Sequence, residues 1–177
     1  MKRKWLLWLP LGAYLIFLAV ASLGLRKPEQ HVIESRMIGK PMPTLALPAA
    51  SSANPPLSTG DLADGKVRIV NIFASWCVPC VAESAQLVAL QQRGVLIEGV
   101  AIRDARPDVD RFLERHGNPY DRIGLDARST LQFHMGSSGV PETFIVDGKG
   151  VIRYQHVGPI MPQDMNTILG KLREAEG

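Results

Sequence analysis

The stretch Val67-Arg68-Ile69-Val70-Asn71-Ile72-Phe73-Ala74-Ser75-Trp76-Cys77-Val78-Pro79-Cys80 carries the strongest structural signal in this chain of 177 residues. Its first seven residues are mostly apolar and predict a largely buried strand. Pro79 fits the first turn of a helix, where the missing N–H of proline costs little. We expect that helix to run to about Arg93 and to stop at Gly94, because glycine tolerates the left-handed conformation that ends many helices.

A second apolar run, Val95 to Ile102, predicts another strand after the helix. Two strands of one sheet that are joined by a helix are parallel, with a right-handed crossover. Upstream, Pro41 to Gly60 is rich in Pro, Ala and Ser and predicts irregular chain with a short edge strand near Thr44 to Leu47. The downstream patterns predict a helix at Asp108–His116, a short strand at Ile123–Leu125, a short helix at Asp126–Met135, a strand at Thr143–Val146, its hairpin partner at Val151–Val157 and a closing helix at Pro162–Glu174. The order βαβ, an inserted α(β)α element and ββα is that of an α/β protein with a thioredoxin-like fold.

Cys77 and Cys80 are the only cysteines of the chain, and two residues separate them. A dithiol at this spacing can close into a disulfide and open again, which predicts thiol–disulfide exchange. Cys77 falls at the start of the helix, where unpaired N–H groups and the helix dipole stabilise a thiolate, so we expect it to be the exposed attacking sulfur. Cys80 falls within the first turn and is expected to be more buried and to resolve the mixed disulfide. Pro79 stiffens the turn, and Trp76 can cover one side of the site.

Three other interpretations compete for the cysteine pair. Half a zinc site would need two further ligands, but the chain has no second Cys-x-x-Cys and no His-x3-5-His. Covalent haem attachment would need His after the second cysteine, and Val81 stands there. A structural disulfide remains open, although so short a loop stabilises little. We therefore expect no metal and no dissociable cofactor beyond the redox-active Cys77–Cys80 pair.

The segment Gly139-Val140-Pro141-Glu142-Thr143 precedes a predicted strand. An X-Pro bond at this place in the fold is a candidate cis peptide. A cis bond would put the Val140 backbone opposite Cys77, where it could form strand-like hydrogen bonds with a bound substrate. The alternative is an ordinary trans proline in a turn.

Two acids and one amide complete the predicted site. Glu83 follows Cys80 by three residues, one helical turn further on, and Glu142 adjoins Pro141. Negative charge near a thiol disfavours the thiolate and goes with a more reducing dithiol. The alternative for each glutamate is a solvated surface acid. Asn71, on the central strand, could lie beneath the dithiol but cannot act as a buried proton acceptor for Cys80.

The amino-terminal segment Trp5 to Leu25 is uncharged and mostly apolar, with basic residues on both sides. Its 21 residues would reach ~31 Å as a helix, about the thickness of a bilayer's hydrocarbon core. The charges at Lys2-Arg3-Lys4 favour an anchor that starts in the cytoplasm and exports the rest. A signal peptide cleaved after Ala21 is the alternative. We thus predict an anchor at 1–25, a linker at 26–40 and a redox domain at 41–177.

Net charge is +3, and basic residues beyond the amino terminus are interleaved with acids. This pattern gives no basic stripe and predicts no nucleic-acid partner. An exported domain lies in an oxidising compartment, where an isolated thiol pair is normally found as a disulfide. Because such a short loop stabilises little, this location favours a catalytic dithiol.

Several segments together resemble the membrane-tethered, periplasmic thioredoxin-like proteins of cytochrome c maturation, the CcmG/DsbE family. The resemblance covers about residues 38 to 172 and rests on five segments: Ile38–Pro43, Val70–Cys80 with Glu83, Gly117-Asn118-Pro119-Tyr120, Gly139–Phe144, and Gly150–Tyr154 with Val157-Gly158-Pro159. It implies a reductant on the periplasmic side of the inner membrane, supplied with electrons by a DsbD-type membrane protein. It implies that apocytochrome c receives them, directly or through a partner dithiol protein.

The same resemblance implies that Cys77 and Cys80 form the redox pair, that Pro141 is the cis-proline, and that Glu83 and Glu142 are the acids around the site. Two segments depart from the family pattern. Ala101-Ile102-Arg103-Asp104 stands where Asn-Tyr-Lys-Asp is common, and Met135–Gly139 replaces a Gly-Val-Tyr-Gly pattern. Both departures bear on partner contacts. A general reductase of exported proteins, or a non-catalytic cytochrome assembly module, is the alternative function.

Overall fold

The computed structural model describes residues 8–25 and 36–177, which belong to two compact units, Met1–Glu34 and Ser35–Gly177. In the first unit the described residues form one helix, α1, at Leu9–Leu25. Apolar side chains such as Tyr14, Ile16 and Phe17 are exposed on it. No helix within the described ranges is long and apolar enough to cross a membrane. Residues 1–7 of the predicted anchor and 26–35 of the predicted linker lie outside the described residues.

The second unit contains seven strands and four helices in its described residues. They are β1 Ala46–Leu47, β2 Leu57–Ser58, β3 Arg68–Phe73, α2 Val78–Gln91, β4 Leu96–Ile102, α3 Arg106–His116, β5 Arg122–Asp126, α4 Thr130–His134, β6 Glu142–Val146, β7 Ile152–Val157 and α5 Met165–Glu176. The main sheet has the order β5-β4-β3-β6-β7. From β3 onward the elements follow βαβ, α(β)α and ββα, so the predicted thioredoxin-like fold is confirmed.

Strand β3 is the central strand of the main sheet, and all six of its residues are buried. It pairs in parallel with β4, with Asn71 opposite Gly99, and antiparallel with β6, with Asn71 opposite Thr143. The chain leaves β3 at Phe73 and enters α2 five residues later. This connection places the dithiol at the carboxyl end of the central strand, as the sequence predicts.

An aromatic cluster packs behind this strand. The ring of Phe73 stacks on Tyr120 at 4.9 Å between centroids and packs against Phe112 at 5.7 Å. Gly99 leaves the space for this arrangement, because a Cβ there would lie 3.0 Å from Cε1 of Phe73 and 3.1 Å from Cδ1 of Tyr120. The cluster therefore fixes the ring of Tyr120 next to the central strand.

Several predicted boundaries need correction. Helix α2 begins at Val78 and ends at Gln91, two residues before the predicted end. Helix α4 is only five residues long because the carboxylate of Asp126, at the end of β5, accepts hydrogen bonds from the amides of Thr130 and Gln132. A 3-10 turn at Pro162–Asp164 precedes α5, which therefore starts later than predicted.

The folded unit also starts earlier than residue 41. The amide of Gly39 donates to the carbonyl of Ile152 at 2.8 Å, and the amide of Ile152 donates to the carbonyl of Lys40 at 2.9 Å. These bonds attach the last residues of the predicted linker to β7. The predicted edge strand near Thr44–Leu47 is confirmed as β1, and its antiparallel partner β2 was not predicted.

Candidate active site

Cys77 and Cys80 form a disulfide with a Cα–Cα distance of 5.3 Å. Cys77 is the N-cap of α2, and its Sγ accepts a hydrogen bond from the amide of Cys80 at 3.2 Å. Pro79 occupies the first turn, as predicted. The sulfur of Cys77 thus takes the place that a serine or aspartate oxygen holds at other helix starts. In the reduced form the same amide and the helix dipole would face a thiolate and stabilise it.

The prediction that Cys77 is the exposed sulfur is wrong for this disulfide form. Cys77 is 4% exposed and Cys80 is 2% exposed, so both are buried. Position on the helix, and not exposure, is therefore what distinguishes Cys77 as the sulfur at the N-cap.

The loop that carries the dithiol is fastened to the end of β4. The carboxylate of Asp104 accepts hydrogen bonds from the Ser75 amide at 2.6 Å and from the Ser75 hydroxyl at 2.8 Å. The indole of Trp76 is 56% exposed and its Nε1 donates to the carbonyl of Arg103 at 3.2 Å. Trp76 therefore leans toward the chain after β4. Sequence reasoning missed the role of Asp104, although Asp is the residue that this segment shares with the Asn-Tyr-Lys-Asp pattern.

The Val140–Pro141 peptide bond is cis, as predicted. Within the described part of the chain, neither the N–H nor the C=O of Val140 takes part in a hydrogen bond. The carbonyl of Pro141 accepts from the Gly158 amide at 3.1 Å, which holds the turn against the end of β7. The main chain of Val140 is thus free to pair with an added segment.

Glu83 is fully buried, so its interpretation as a surface acid is wrong. Its Oε1 accepts from Nδ2 of Asn71 at 2.9 Å, and its Oε2 accepts from the amide of Ile160 at 3.0 Å. Burial raises the pKa of Glu83 from 4.5 to about 7, and the hydrogen bonds from Ile160 and Asn71 oppose that rise. The carboxyl therefore changes its charge near neutral pH. Because Glu83 follows Cys80 by one helical turn, it lies on the face of α2 that carries Cys80.

Asn71 connects this carboxyl to two residues that the sequence did not single out. Its Oδ1 accepts from the hydroxyl of Tyr120 at 2.8 Å, and its Nδ2 also donates to Oγ1 of Thr143 at 3.1 Å. Tyr120 is buried, and this burial together with the charge of Glu83 raises its pKa well above the usual range. Sequence reasoning gave Tyr120 no role in the site, although the Gly-Asn-Pro-Tyr segment is one of those that carry the family resemblance.

Glu142 is also buried, at 1% exposure, so the surface-acid interpretation is wrong here too. Its Oε2 accepts from the amide of Ser138 at 3.1 Å, and its Oε1 accepts from Nε2 of Gln155. These bonds hold the turn before Pro141 against β7. The influence of Glu142 on Cys77 stays a prediction. In the described residues no group of three His, Cys, Asp or Glu side chains could hold a metal ion.

A thioredoxin-like fold with a disulfide at the start of the helix after its central strand defines a thiol–disulfide oxidoreductase. Comparison with known proteins agrees. The Redoxin family profile matches residues 37–169. The thiol:disulfide interchange protein HelX of Rhodobacter capsulatus is 36% identical over 157 residues, which cover 89% of this chain and 89% of HelX. DsbE of Escherichia coli K12 is 35% identical over 170 residues, with 92% of this chain and 90% of DsbE covered.

A solved structure agrees as well. The structure of a thiol:disulfide interchange protein DsbE from Chlorobium tepidum matches with a TM-score of 0.63 at 25% identity, covering 79% of this chain and 98% of that chain. The chain belongs to the Redoxin family and, within it, to the DsbE/CcmG thiol:disulfide interchange proteins.

Proposed function

We propose that the chain reduces the disulfide of apocytochrome c, or of a dithiol protein that serves apocytochrome c, during the biogenesis of c-type cytochromes. The sequence resemblance supports this target. One structural observation supports the reducing direction: the buried carboxyl of Glu83 lies one helical turn from Cys80. A carboxylate at that place opposes thiolate formation, and a dithiol that is not stabilised as a thiolate gives up its electrons more readily.

The reaction runs in two exchanges. The thiolate of Cys77 attacks one sulfur of the target disulfide, and the other target sulfur leaves as a thiolate and takes a proton from water. Cys80 then gives its proton to Glu83, and the Cys80 thiolate attacks Sγ of Cys77. The bond between Cys77 and the target breaks, the second target sulfur leaves as a thiolate and is protonated, and the Cys77–Cys80 disulfide forms. Two electrons have passed to the target, and a DsbD-type membrane dithiol restores them by the reverse exchange.

Val140 is suited to align the target chain during this exchange. Its free N–H and C=O stand next to the cis bond to Pro141 and could pair with an extended segment as a neighbouring strand does. A groove of about 460 Å³ beside the dithiol loop, bordered by Trp76 and Arg103, gives room for further contacts. We propose that residues of this groove distinguish targets, because Arg103 is where the chain departs from the family pattern.

We propose that Trp5–Leu25 anchors the redox unit to the periplasmic side of the inner membrane as a single-pass segment. Two observations support this. The segment has 21 uncharged residues with basic residues on both sides, and helix α1 covers 17 of these 21 residues. Retention of the protein in carbonate-washed membranes, together with the mass of the mature chain, tests this assignment. A mature chain that begins after Ala21 would show a cleaved signal peptide instead.

The reduction potential of Cys77–Cys80, measured by equilibration with glutathione or dithiothreitol buffers, tests the direction of electron flow. We expect a reducing value. A potential near that of the strong periplasmic oxidants, about −120 mV, would overturn the proposal.

Loss of the cysteines tests the target. In cells whose only copy carries Cys77→Ser or Cys80→Ser, we expect c-type cytochromes to be lost while other exported thiol proteins keep their redox state. Intact cytochrome assembly would mean a non-catalytic assembly module. A shift of many exported thiols toward disulfides would mean a general reductase.

A further inference from the structure

The orientation of the Asn71 side-chain amide determines whether a hydrogen-bond donor or an acceptor faces the Glu83 carboxylate. An amide presents a donor at its nitrogen and an acceptor at its oxygen. In the structure Nδ2 faces Glu83 and donates to it at 2.9 Å. If the amide were turned over, Oδ1 would face the carboxylate, and two acceptors would confront each other. The turned amide would favour the protonated carboxyl and raise the pKa of Glu83 further.

Tyr120 selects between these two orientations. Its hydroxyl donates to Oδ1 of Asn71 at 2.8 Å, and this is the one hydrogen bond that the hydroxyl makes among the described residues. Turning the amide over would break this bond, and a buried hydroxyl that loses its partner costs about 1–3 kcal/mol. The hydroxyl of Thr143 can accept from Nδ2 or donate to Oδ1, so it tolerates both orientations. Tyr120 is thus the neighbour that determines the orientation of the Asn71 amide.

The position of Tyr120 is itself fixed from several sides. Its ring stacks on Phe73 with the planes 14° apart. Its carbonyl accepts from Nδ2 of Asn54 at 2.6 Å, and its amide donates to Oδ1 of Asn118 at 3.2 Å. Since Nδ2 of Asn118 also donates a hydrogen bond to Oδ1 of Asn54 at 2.8 Å, the residues before β2 and the Gly-Asn-Pro-Tyr segment hold one another. These contacts therefore fix the position of the Tyr120 hydroxyl next to Asn71.

We infer that Tyr120 is a positioning residue for thiol–disulfide exchange: through Asn71 it holds a hydrogen-bond donor on the Glu83 carboxylate and so sets the proton affinity of the group one turn from Cys80. The consequence for the reaction rests on the proposed role of Glu83 as proton acceptor. The groups that hydrogen-bond to Glu83 are the uncharged Asn71 side chain and Ile160 amide; Tyr120 is close enough for the charge of Glu83 to raise its pKa, and Cys80 precedes Glu83 by one turn of α2. Among the described residues no Lys, Arg or His forms an ion pair with it, so nothing else compensates its charge.

The test removes one oxygen atom. Tyr120→Phe keeps the ring and its stacking, and Tyr154→Phe, the same change at a half-buried tyrosine outside the network, is the matched control. In the full oxidised chain, the titration of Glu83 is followed by carboxyl infrared bands that disappear in Glu83→Gln. We expect Tyr120→Phe to increase the proton affinity of Glu83 at least threefold, about half a pH unit, and Tyr154→Phe to leave it unchanged. Asn71→Leu should produce the same increase, and the double variant should add little to it.

An unchanged Glu83 titration in folded Tyr120→Phe would overturn the inference. If that variant does not fold, the Glu83 titration is measured instead in a chain whose tyrosines are replaced by 3-fluorotyrosine. The control is Tyr154→Phe labelled in the same way. A stronger phenol donor should then lower the proton affinity of Glu83, and no change would overturn the inference. The resolving rate of the mixed disulfide is measured beside the titration. A titration that moves while this rate and its pH profile do not would support the positioning by Tyr120 and refute the proton-acceptor role of Glu83.

Discussion

Nδ2 of Asn71 and Oε1 of Glu83 lie 2.9 Å apart, and both side chains are fully buried. An asparagine on the central strand cannot titrate, but it touches a glutamate on α2 that can. The ionisable group of this site therefore comes from the helix that carries the cysteines, and the strand supplies the donor that moderates it.

Glu83→Gln is expected to stabilise the oxidised protein at alkaline pH. Below pH 4.5 the carboxyl is protonated in both the folded and the unfolded chain, so Glu83 does not change stability there. Between pH 4.5 and about 7 the unfolded chain releases the Glu83 proton while the folded chain keeps it, so stability falls as the pH rises through this range and levels off above about 7. A pKa raised from 4.5 to about 7 corresponds to about 3 kcal/mol. Denaturant titrations from pH 4 to pH 8 measure it, and a gain of equal size at every pH would contradict the assignment.

Cys80→Ser is expected to accumulate a mixed disulfide with a target, because Cys77 at the N-cap still attacks and nothing resolves the product. Cys77→Ser should accumulate none. Mass spectrometry of each variant after incubation with a disulfide peptide distinguishes the two. Since both sulfurs are buried in the oxidised form, a stable adduct on Cys80 would show that helix position does not select the attacking sulfur.

Glu142→Gln is expected to move the reactivity of Cys77 toward iodoacetamide to lower pH, because removing a nearby negative charge favours the thiolate. The amide can still accept from the Ser138 N–H, so the turn before Pro141 should persist. Alkylation rates of the reduced protein between pH 5 and pH 9 provide the measurement. An unchanged pH profile would leave Glu142 with a structural role only.

Asp104→Asn is expected to lower the free energy of unfolding by about 2 kcal/mol, because hydrogen bonds to a charged group are worth about 1.5–3 kcal/mol and the amide retains only one acceptor for Ser75. Asp108→Asn is the control, since Asp108 is paired with Arg111 in an exposed contact that contributes little. Urea denaturation compares the two. Equal losses would contradict the fastening of the dithiol loop by Asp104.

Gly99→Ala is expected to destabilise the protein by about 1–3 kcal/mol, because the added Cβ presses on the stacked rings of Phe73 and Tyr120. Gly170→Ala, in open space on α5, should be neutral or slightly stabilising, since alanine favours helix more than glycine does. Thermal unfolding measures both changes. A neutral Gly99→Ala would show that the aromatic cluster yields without loss.

Local patterns predicted most of the fold because they depend on short-range rules. The apolar run before the dithiol, the proline in the first turn and the glycines after helices each signal an element through neighbouring residues. The errors have a common cause, which is contact with residues outside the local pattern. Helix α4 was predicted to start at Asp126, but the carboxylate of Asp126 accepts from the amides of Thr130 and Gln132, so the helix starts later. Strand β2 was missed because its two residues are held by pairing with β1 across a loop.

By itself, the sequence determined the chemistry of this protein: two cysteines at a spacing that closes a disulfide, at the start of a helix after a buried strand, in a thioredoxin-like order of elements. Only the tertiary structure decided which polar groups surround that disulfide. Burial cannot be inferred from spacing along one helix, because it depends on what packs from other elements. Ile160, Asn71 and Tyr120 come from three separate segments, and together they turn Glu83 from a possible surface acid into a buried group that titrates near neutral pH.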